Sequence, residues 1–248
     1  MMADLAELNT LIGGVAPSGT EPDLDFQVTP AIEEYLETIH NLTTEGKPAI
    51  GARLAERLNI KAASVVGMIK ELQKKEYVTQ DDHTKELHLT EKGEKIANSL
   101  ARRHRLVERL LVDVLQLSWD EAHDEACRLE HHISAQVERA LIRYLNNPTT
   151  CPHGNPIPGS GGVIRSDSRT LDSYEPSVNV VIDHIGEDAE HEPGLLKFLQ
   201  QHNIVPGVQF EVKGSIMPFN ETLVLLNGFK EEVTLGKKIA GKIWAVPV

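Results

Sequence analysis

Four side chains within nine residues have the chemistry and spacing to bind a divalent metal. Cys127, Glu130 and His131 are spaced i, i+3, i+4, so on a helix they share one face, and His123 lies one turn earlier. A thiolate, a carboxylate and an imidazole within one turn are typical ligands of divalent transition metals. An alternative stays open, because a cysteine alone is more often a small buried apolar residue.

A second group of possible ligands precedes the first. His104 and Glu108 are spaced i, i+4 on a long helix that is predicted to begin at Thr90. One such pair alone is usually solvated; two groups on successive helices strengthen the case for a metal site but leave the solvated pair and the buried cysteine open as alternatives. Cys151 and His153, in the stretch Cys-Pro-His-Gly, resemble half of a zinc site. Because no second pair lies nearby in the sequence, the favoured interpretation of this half-site is a structural loop.

Two predicted helices, over 50–58 and 62–75, have the arrangement of a helix–turn–helix. The segments 77–79 and 87–89 flank a polar tip and predict a two-stranded wing. A helix that enters the DNA major groove needs small residues on its leading face and cations placed to meet phosphates. The residues expected to contact DNA are Lys61, Ala63, Ser64, Gly67, Lys70, Lys74 and, in the wing, Lys85. A structural three-helix unit with solvated lysines is the alternative.

The leading turn of the second helix carries no arginine, asparagine or glutamine. We therefore expect bidentate base contacts to contribute little, and DNA shape or apolar contacts with methyl groups to contribute more.

The charge distribution limits where DNA can bind. The formal net charge of −12 argues against indiscriminate binding of nucleic acid. Residues 29–110, however, hold 14 Lys and Arg against 13 Asp and Glu, so a DNA-binding surface is expected there. No run of about 18 apolar residues predicts a membrane span. The start of the chain lacks the features of a signal peptide, and two cysteines make no disulfide scaffold, so a cytoplasmic location is expected.

The pattern of helices, strands and turns divides the chain into five segments. We expect an acidic arm over 1–28, a winged-helix domain over 29–98, a helical domain over 99–147, a linker over 148–175 and a small β-barrel over 176–248. Within the helical domain, one long helix is predicted over 119–145. Strands are predicted over 178–182, 209–212, 222–226 and 243–246, and a short helix over 193–201.

Three motifs together resemble the diphtheria toxin repressor family of iron- and manganese-dependent regulators. They are RHRLVERLLVDVL over 103–115, HDEACRLEH over 123–131 and GNPIPG over 154–159. The resemblance extends over about residues 29–248. It implies a mainly α chain with little β structure: an N-terminal winged helix-turn-helix, an all-helical metal-binding and dimerisation domain, and a C-terminal SH3-like barrel.

The resemblance also implies two metal sites per chain. The implied activating site consists of Glu34, Glu37, Cys127, Glu130 and His131. The implied ancillary site consists of His104, Glu108 and His123, completed from the barrel by Glu192 or His191. The iron branch has methionine where this chain has Glu34, and the manganese branch has an acid. The hard carboxylate favours Mn(II), while Cys127 keeps Fe(II) a close second, and Zn(II) or Co(II) would substitute in vitro.

The function implied by the resemblance is that of a homodimeric repressor and not of an enzyme. Metal would join the first helix of the DNA-binding domain, through Glu34, to the dimerisation domain. The loaded dimer would bind double-stranded operator DNA and repress metal-uptake genes. One rival is a metal-independent winged-helix regulator that senses a small molecule or a redox signal through Cys127. A metalloenzyme is disfavoured, because the sequence contains no His-Glu-x-x-His motif.

Overall fold

The computed structural model describes residues 28–214, 222–227 and 232–248. The arm predicted over 1–28 therefore lies, except for its last residue, outside the described residues. Among the helices within the described ranges, none combines the length and apolar composition needed to cross a membrane.

The first domain is a helix–turn–helix with a wing, as predicted. Its elements are α1 (Pro30–Thr44), α2 (Gly51–Arg57), α3 (Ala62–Lys74), β1 (Val78–Gln80) and β2 (Leu87–Leu89). Pro30 occupies the first turn of α1, where its missing N–H costs no helical hydrogen bond. The two strands pair antiparallel, and Asp81 closes the wing tip by accepting hydrogen bonds from the backbone N–H groups of His83 and Thr84.

The core of this domain leaves one face of α3 free. The buried residues of α3 are Val65, Ile69 and Leu72, at helical spacing. They pack with apolar residues of α1, among them Leu36 and Ile39, which are fully buried. The opposite face of α3, including Ala63 and Lys70, is exposed.

The helical domain is built from three α-helices. They are α4 (Glu91–Arg109), which continues through a π-helical turn at Leu110–Val114, α5 (Trp119–Leu129) and α6 (Ala135–Tyr144). The prediction of one helix over 119–145 is wrong. The chain leaves α-helical geometry after Leu129, passes through a 3-10 turn at Glu130–His132, and restarts at Ser134, whose hydroxyl accepts a hydrogen bond from the N–H of Val137.

The segment predicted as a linker is packed against the helical domain. Cys151, His153 and Asn155 are buried, and Arg109 donates hydrogen bonds to the carbonyls of Thr150 and Cys151. The expected linker over 148–175 therefore holds polar and thiol side chains in the interior, where each needs a partner.

The C-terminal domain contains a six-stranded antiparallel sheet in the order β3-β8-β4-β5-β6-β7 within the described ranges. Its elements are β3 (Arg169–Thr170), β4 (Val178–Ile185), α7 (Glu187–Glu190), α8 (Leu195–Gln201), β5 (Gln209–Gly214), β6 (Thr222–Asn227), β7 (Glu232–Gly236), α9 (Lys237–Ala240) and β8 (Ile243–Pro247). The four predicted strands and the short helix are present. Strands β3 and β7 were not predicted from the sequence.

Trp119 joins the C-terminal domain to the helical domain. Its side chain is 4% exposed and lies in the same apolar cluster as Phe210 and Leu199. Its backbone N–H donates to the Gln200 side chain at 3.0 Å. Because Trp119 begins α5, this packing fixes the helix that carries Cys127 against the C-terminal sheet.

Candidate metal centre and nucleic-acid interface

The first group of potential ligands joins α1 to the end of α5. Ligand atoms of Glu34, Glu130 and His131 all lie within 4.8 Å of one another. His131 Nε2 is 3.0 Å from Glu34 Oε1 and 3.4 Å from Glu130 Oε1. Since Glu34 belongs to the DNA-binding domain and the other two to the helical domain, this group spans the two domains.

Glu33, which the sequence analysis did not select, orients the imidazole of His131. Its Oε2 is 2.7 Å from His131 Nδ1, and its Oε1 accepts a hydrogen bond from Arg103 at 2.6 Å. Burial alone would raise the pKa of Glu33, but the bonds to His131 and Arg103 outweigh it and lower the pKa. Glu33 is therefore an ionised acceptor that keeps the proton on Nδ1, and the Nε2 lone pair is left for a metal.

Without metal, the imidazole of His131 carries a proton on both ring nitrogens. Hydrogen bonds with Glu33 and Glu34 raise the pKa of His131 to about 10. The imidazole is therefore protonated at neutral pH, and a metal at Nε2 must displace that proton.

Two expected members of the activating site lie outside this first group. Cys127 Sγ instead groups with the imidazoles of His104 and His123, at 3.8 Å from His123 Nε2. Burial would raise the pKa of Cys127, but hydrogen bonds with the two imidazoles outweigh it and lower the pKa. Burial, followed by repulsion from Glu130, raises the pKa of Glu37 well above its usual value.

The second group lies where α4, α5 and the C-terminal domain meet. It contains His104, Glu108 and His123, as the resemblance implied, together with Glu190 from α7. Glu108 Oε1 is 3.1 Å from His104 Nε2 and 3.3 Å from His123 Nδ1. Glu190 Oε2 is 3.4 Å from His123 Nδ1. Burial opposes ionisation of Glu108, but His153 and His104 outweigh it and hold its pKa well below the usual range.

Cys151 and His153, expected to form a structural loop, lie beside Glu108. The three side chains place ligand atoms within 4.8 Å of one another. His153 Nδ1 is 3.4 Å from Glu108 Oε1 and 3.2 Å from Glu190 Oε1. The potential ligands that accompany this half-site therefore come from α4 (Glu108) and α7 (Glu190), which are distant from it in the sequence.

The expected ligands Glu192 and His191 lie outside the second group. Glu192 Oε1 forms an ion pair with Lys242 Nζ at 2.8 Å. The ring of His191 has its centroid 5.8 Å from that of His123, and none of the ligand groups found among the described residues contains it. Glu190, the last residue of α7 and the one directly before His191, supplies the C-terminal domain's carboxylate.

His104 connects the two groups. Its Nδ1 is 2.5 Å from Glu130 Oε2 in the first group, and its Nε2 faces Glu108 in the second. The imidazole therefore lies between the two carboxylates.

The donor set fits divalent metal ions. Two buried atoms here, Glu108 Oε2 and His153 Nε2, have no hydrogen-bond partner among the described residues. His104 Nε2 and His153 Nδ1 lie 3.1 to 3.4 Å from carboxylate oxygens but without hydrogen-bond geometry. Leaving such atoms unpaired in the interior is costly, and a cation coordinated by them removes that cost. Carboxylate oxygens with imidazole nitrogens suit Mn(II) and Fe(II), and thiolate sulfur adds affinity for softer ions.

Six of the residues expected to contact DNA lie on α3 or at its N-cap, and Lys85 lies in the wing. All of them are exposed; they are Lys61, Ala63, Ser64, Gly67, Lys70, Lys74 and Lys85. No ion pair with a described residue neutralises these four lysines, and Gly67 has open space where a Cβ would stand. The surface is therefore positively charged and flat, as approach to a DNA groove requires.

Family models match the three domains in order. An iron-dependent repressor N-terminal DNA-binding domain matches residues 27–88, an iron-dependent repressor metal-binding and dimerisation domain matches 90–159, and a FeoA domain matches 169–247. These matches agree with the winged-helix, helical and C-terminal sheet domains of the fold.

Similar proteins carry the same architecture. The iron-dependent repressor IdeR of Mycobacterium leprae is 38% identical over 219 residues, 84% of this chain and 93% of the relative. The diphtheria toxin repressor of Corynebacterium jeikeium is 37% identical over 178 residues, 70% of this chain and 74% of the relative. A solved structure described as a manganese-dependent transcriptional repressor in complex with manganese matches with a TM-score of 0.75 and 29% identity, covering 88% of this chain and all of that one. The relatives are repressors, not enzymes, and this chain belongs to the diphtheria toxin repressor family of metal-dependent, DNA-binding transcriptional repressors.

Proposed function

We propose that this chain is a cytoplasmic, homodimeric repressor that binds operator DNA when Mn(II), or as a close second Fe(II), joins its DNA-binding domain to its helical domain. The observation that carries the proposal is the position of Glu34. It lies on α1 of the DNA-binding domain, 3.0 Å from His131 Nε2 of the helical domain. The repressed genes are proposed to be those of metal uptake, in line with the family.

In the proposed activating site, Glu34, Glu130 and His131 hold the metal. Cys127 is proposed as a further ligand on the resemblance alone, and binding the metal would require its thiolate to leave His104 and His123, beside which it lies. Burial raises the pKa of Glu37 most, and repulsion from Glu130 and, more weakly, from Glu34 raises it further. When bound, a divalent metal supplies the positive charge that offsets this repulsion. The acids then hold α1 against the end of α5, and the two DNA-binding domains are kept in one relative position.

In the proposed ancillary site, the metal is held by residues of four segments of the chain. These are His104 and Glu108 of α4, His123 of α5, Cys151 and His153 of the 148–175 segment, and Glu190 of α7. Arg105 also forms an ion pair with Glu187 of α7, which holds the C-terminal domain at this site. Occupancy of the site would fix the C-terminal domain to the helical domain, and through His104 it would support Glu130 of the activating site.

The preference for Mn(II) rests on the ligand types. Glu34 and Glu130 are hard oxygen donors, which favour Mn(II), whereas Cys127 favours softer ions such as Fe(II). The relatives differ in the same way, since one is named for iron and another for manganese. Zn(II) and Co(II) are expected to substitute in vitro, because such a site binds them at least as tightly.

The proposed subunit interface is the apolar face at the end of α4 and along α6. Four exposed large apolar side chains belong to these parts of the chain; they are Val114, Leu115, Val137 and Tyr144. A single chain leaves this surface in water, and a second copy would bury it. In a dimer, two recognition helices α3 would enter successive major grooves about 34 Å apart.

Metal-dependent operator binding by two variants tests the proposal. Glu34→Ala and His131→Ala should each abolish DNA binding that depends on Mn(II), while size-exclusion chromatography still shows a folded dimer. The matched control is Glu91→Ala, which removes an 86% exposed carboxylate from α4 without touching the proposed ligands or the recognition helix. Wild-type, metal-dependent DNA affinity in either test variant would contradict the proposed activating site. DNA binding that survives a chelator would instead favour the metal-independent regulator.

A further inference from the structure

Val66 is an exposed apolar residue in the middle of α3. Its side chain is 54% exposed. Within described residues 28–90, Ile60 is the other large apolar side chain that is exposed. The apolar core of the domain is supplied without Val66, and valine is a weaker helix former than alanine or lysine. Neither packing nor helix stability therefore accounts for a valine at this position.

The surroundings of Val66 are flat. On the helix it follows Ala63 by three residues and precedes Lys70 by four, so all three point to the same side. The next residue, Gly67, has nothing within 4 Å of the place where a Cβ would stand. The two Val66 methyl groups thus project from a surface of small side chains, and Lys70 places a cation beside them.

Major-groove chemistry offers one group that such a surface recognises. Thymine presents its 5-methyl group there, and apolar side chains contact it. Recognition helices use residues near their N-terminus for base edges, and Val66 is the fifth residue of α3. The exposed lysines of this surface are suited to contact phosphates, which carry no base identity. We propose that Val66 contacts the 5-methyl group of an operator thymine and so contributes to sequence specificity; this rests on the proposed function.

Substitution of deoxyuridine for thymine tests the contact, because it removes only the methyl group. Duplexes are first selected from a random pool by the full-length protein loaded with Mn(II). Each thymine of a selected duplex is then replaced in turn, and fluorescence anisotropy gives the affinity of the wild type and of Val66→Ala. At one thymine per half-site, the replacement should weaken wild-type binding by about three- to fivefold. For Val66→Ala, the same replacement should change affinity by less than about twofold.

Two further variants serve as controls. Val66→Ile keeps a β-branched apolar side chain and should retain the sensitivity to deoxyuridine. Val163→Ala makes the same truncation at an 81% exposed valine outside the DNA-binding domain, and should behave as the wild type. Since Val66 is exposed, Val66→Ala should leave the far-UV circular dichroism and the Mn(II) affinity unchanged.

Three outcomes overturn the inference in distinguishable ways. If no thymine of the selected duplexes matters to the wild type, the methyl contact is absent while the proposed function stands. If Val66→Ala is as sensitive to deoxyuridine as the wild type, another residue makes the contact. If the loaded protein selects no duplex at all, the proposed function fails, and the inference fails with it.

Discussion

Replacing Glu33 changes no proposed metal ligand, yet we expect it to weaken metal binding strongly. Glu33 holds the proton of His131 on Nδ1 through a 2.7 Å hydrogen bond and accepts a second hydrogen bond from Arg103. Its side chain is 10% exposed, so water does not replace these contacts well. Without Glu33 the imidazole is free to rotate or to carry its proton on Nε2, and both changes oppose coordination.

The size of the effect follows from the strength of such outer-sphere contacts. Losing the hydrogen-bond partner of a ligating histidine typically costs 10- to 100-fold in metal affinity, or about 1.4 to 2.8 kcal/mol. Glu33→Gln keeps an acceptor oxygen but removes its charge, so we expect a loss of about tenfold. Glu33→Ala removes both the acceptor and the charge, so we expect about 100-fold.

Competition of Mn(II) against a fluorescent chelator, at one fixed pH, measures this affinity for each variant. The matched control is Glu91→Gln, which neutralises an 86% exposed carboxylate on α4 that pairs with Lys95. Thermal unfolding without metal separates a loss of folding from a loss of affinity, because Glu33→Ala also leaves Arg103 without this partner. An affinity of Glu33→Gln and Glu33→Ala within about twofold of the wild type would refute the orienting role of Glu33.

Four other predictions test separate parts of the account. The affinity for Mn(II) should rise by roughly tenfold per pH unit between about pH 6 and 9. The reason is that Glu33 and Glu34 raise the pKa of His131 to about 10, and the imidazole must lose its proton to bind metal. An affinity that does not change with pH would contradict this. His153→Ala should lower the Mn(II) content after dialysis from two ions to one per chain, whereas Glu192→Gln should leave two; the reverse result would support the ligand implied by the resemblance. Trp119→Ala should lower the free energy of unfolding by about 3–5 kcal/mol in a denaturant titration, because it leaves a cavity in the core between two domains. A loss below about 1 kcal/mol would argue against that packing. Leu115→Glu should shift the dimer towards monomer in sedimentation velocity at unchanged helicity; an intact dimer would place the interface elsewhere.

Local spacing predicted most of the helices and the ligand pairs that lie within one element. His104 and Glu108 are one turn apart on α4, so a helical pattern alone brings them together. The helix–turn–helix, the wing and the exposed DNA-binding surface followed from apolar periodicity and turn residues. These features depend on residues that are close in the sequence, which is the range over which periodicity carries information.

Contacts between distant segments could not be predicted in this way. Glu190 and His153 meet at Glu108 only because Trp119 and the packed 148–175 segment hold the C-terminal domain against α4. Glu33 was not predicted because an acidic residue beside an expected ligand is normally interpreted as a solvated charge. The burial of Glu33 depends on its ion pair with Arg103, which lies 70 residues further along the chain.

The helical spacing also misled at one place. Cys127, Glu130 and His131 were expected on one helical face, but α5 ends at Leu129 and the next residues form a 3-10 turn. The changed turn directs His131 towards α1, while Cys127 remains beside His123. The break is therefore what brings His131 to Glu34.

The central claim is that a metal ion joins α1 to the end of α5. Crystals grown with Mn(II) and measured at a wavelength where manganese scatters anomalously locate the ion directly. The account predicts an anomalous peak within bonding distance of Glu34, Glu130 and His131 Nε2 together. A peak that contacts no residue of α1, or no peak at this position in a manganese-loaded dimer, would contradict it.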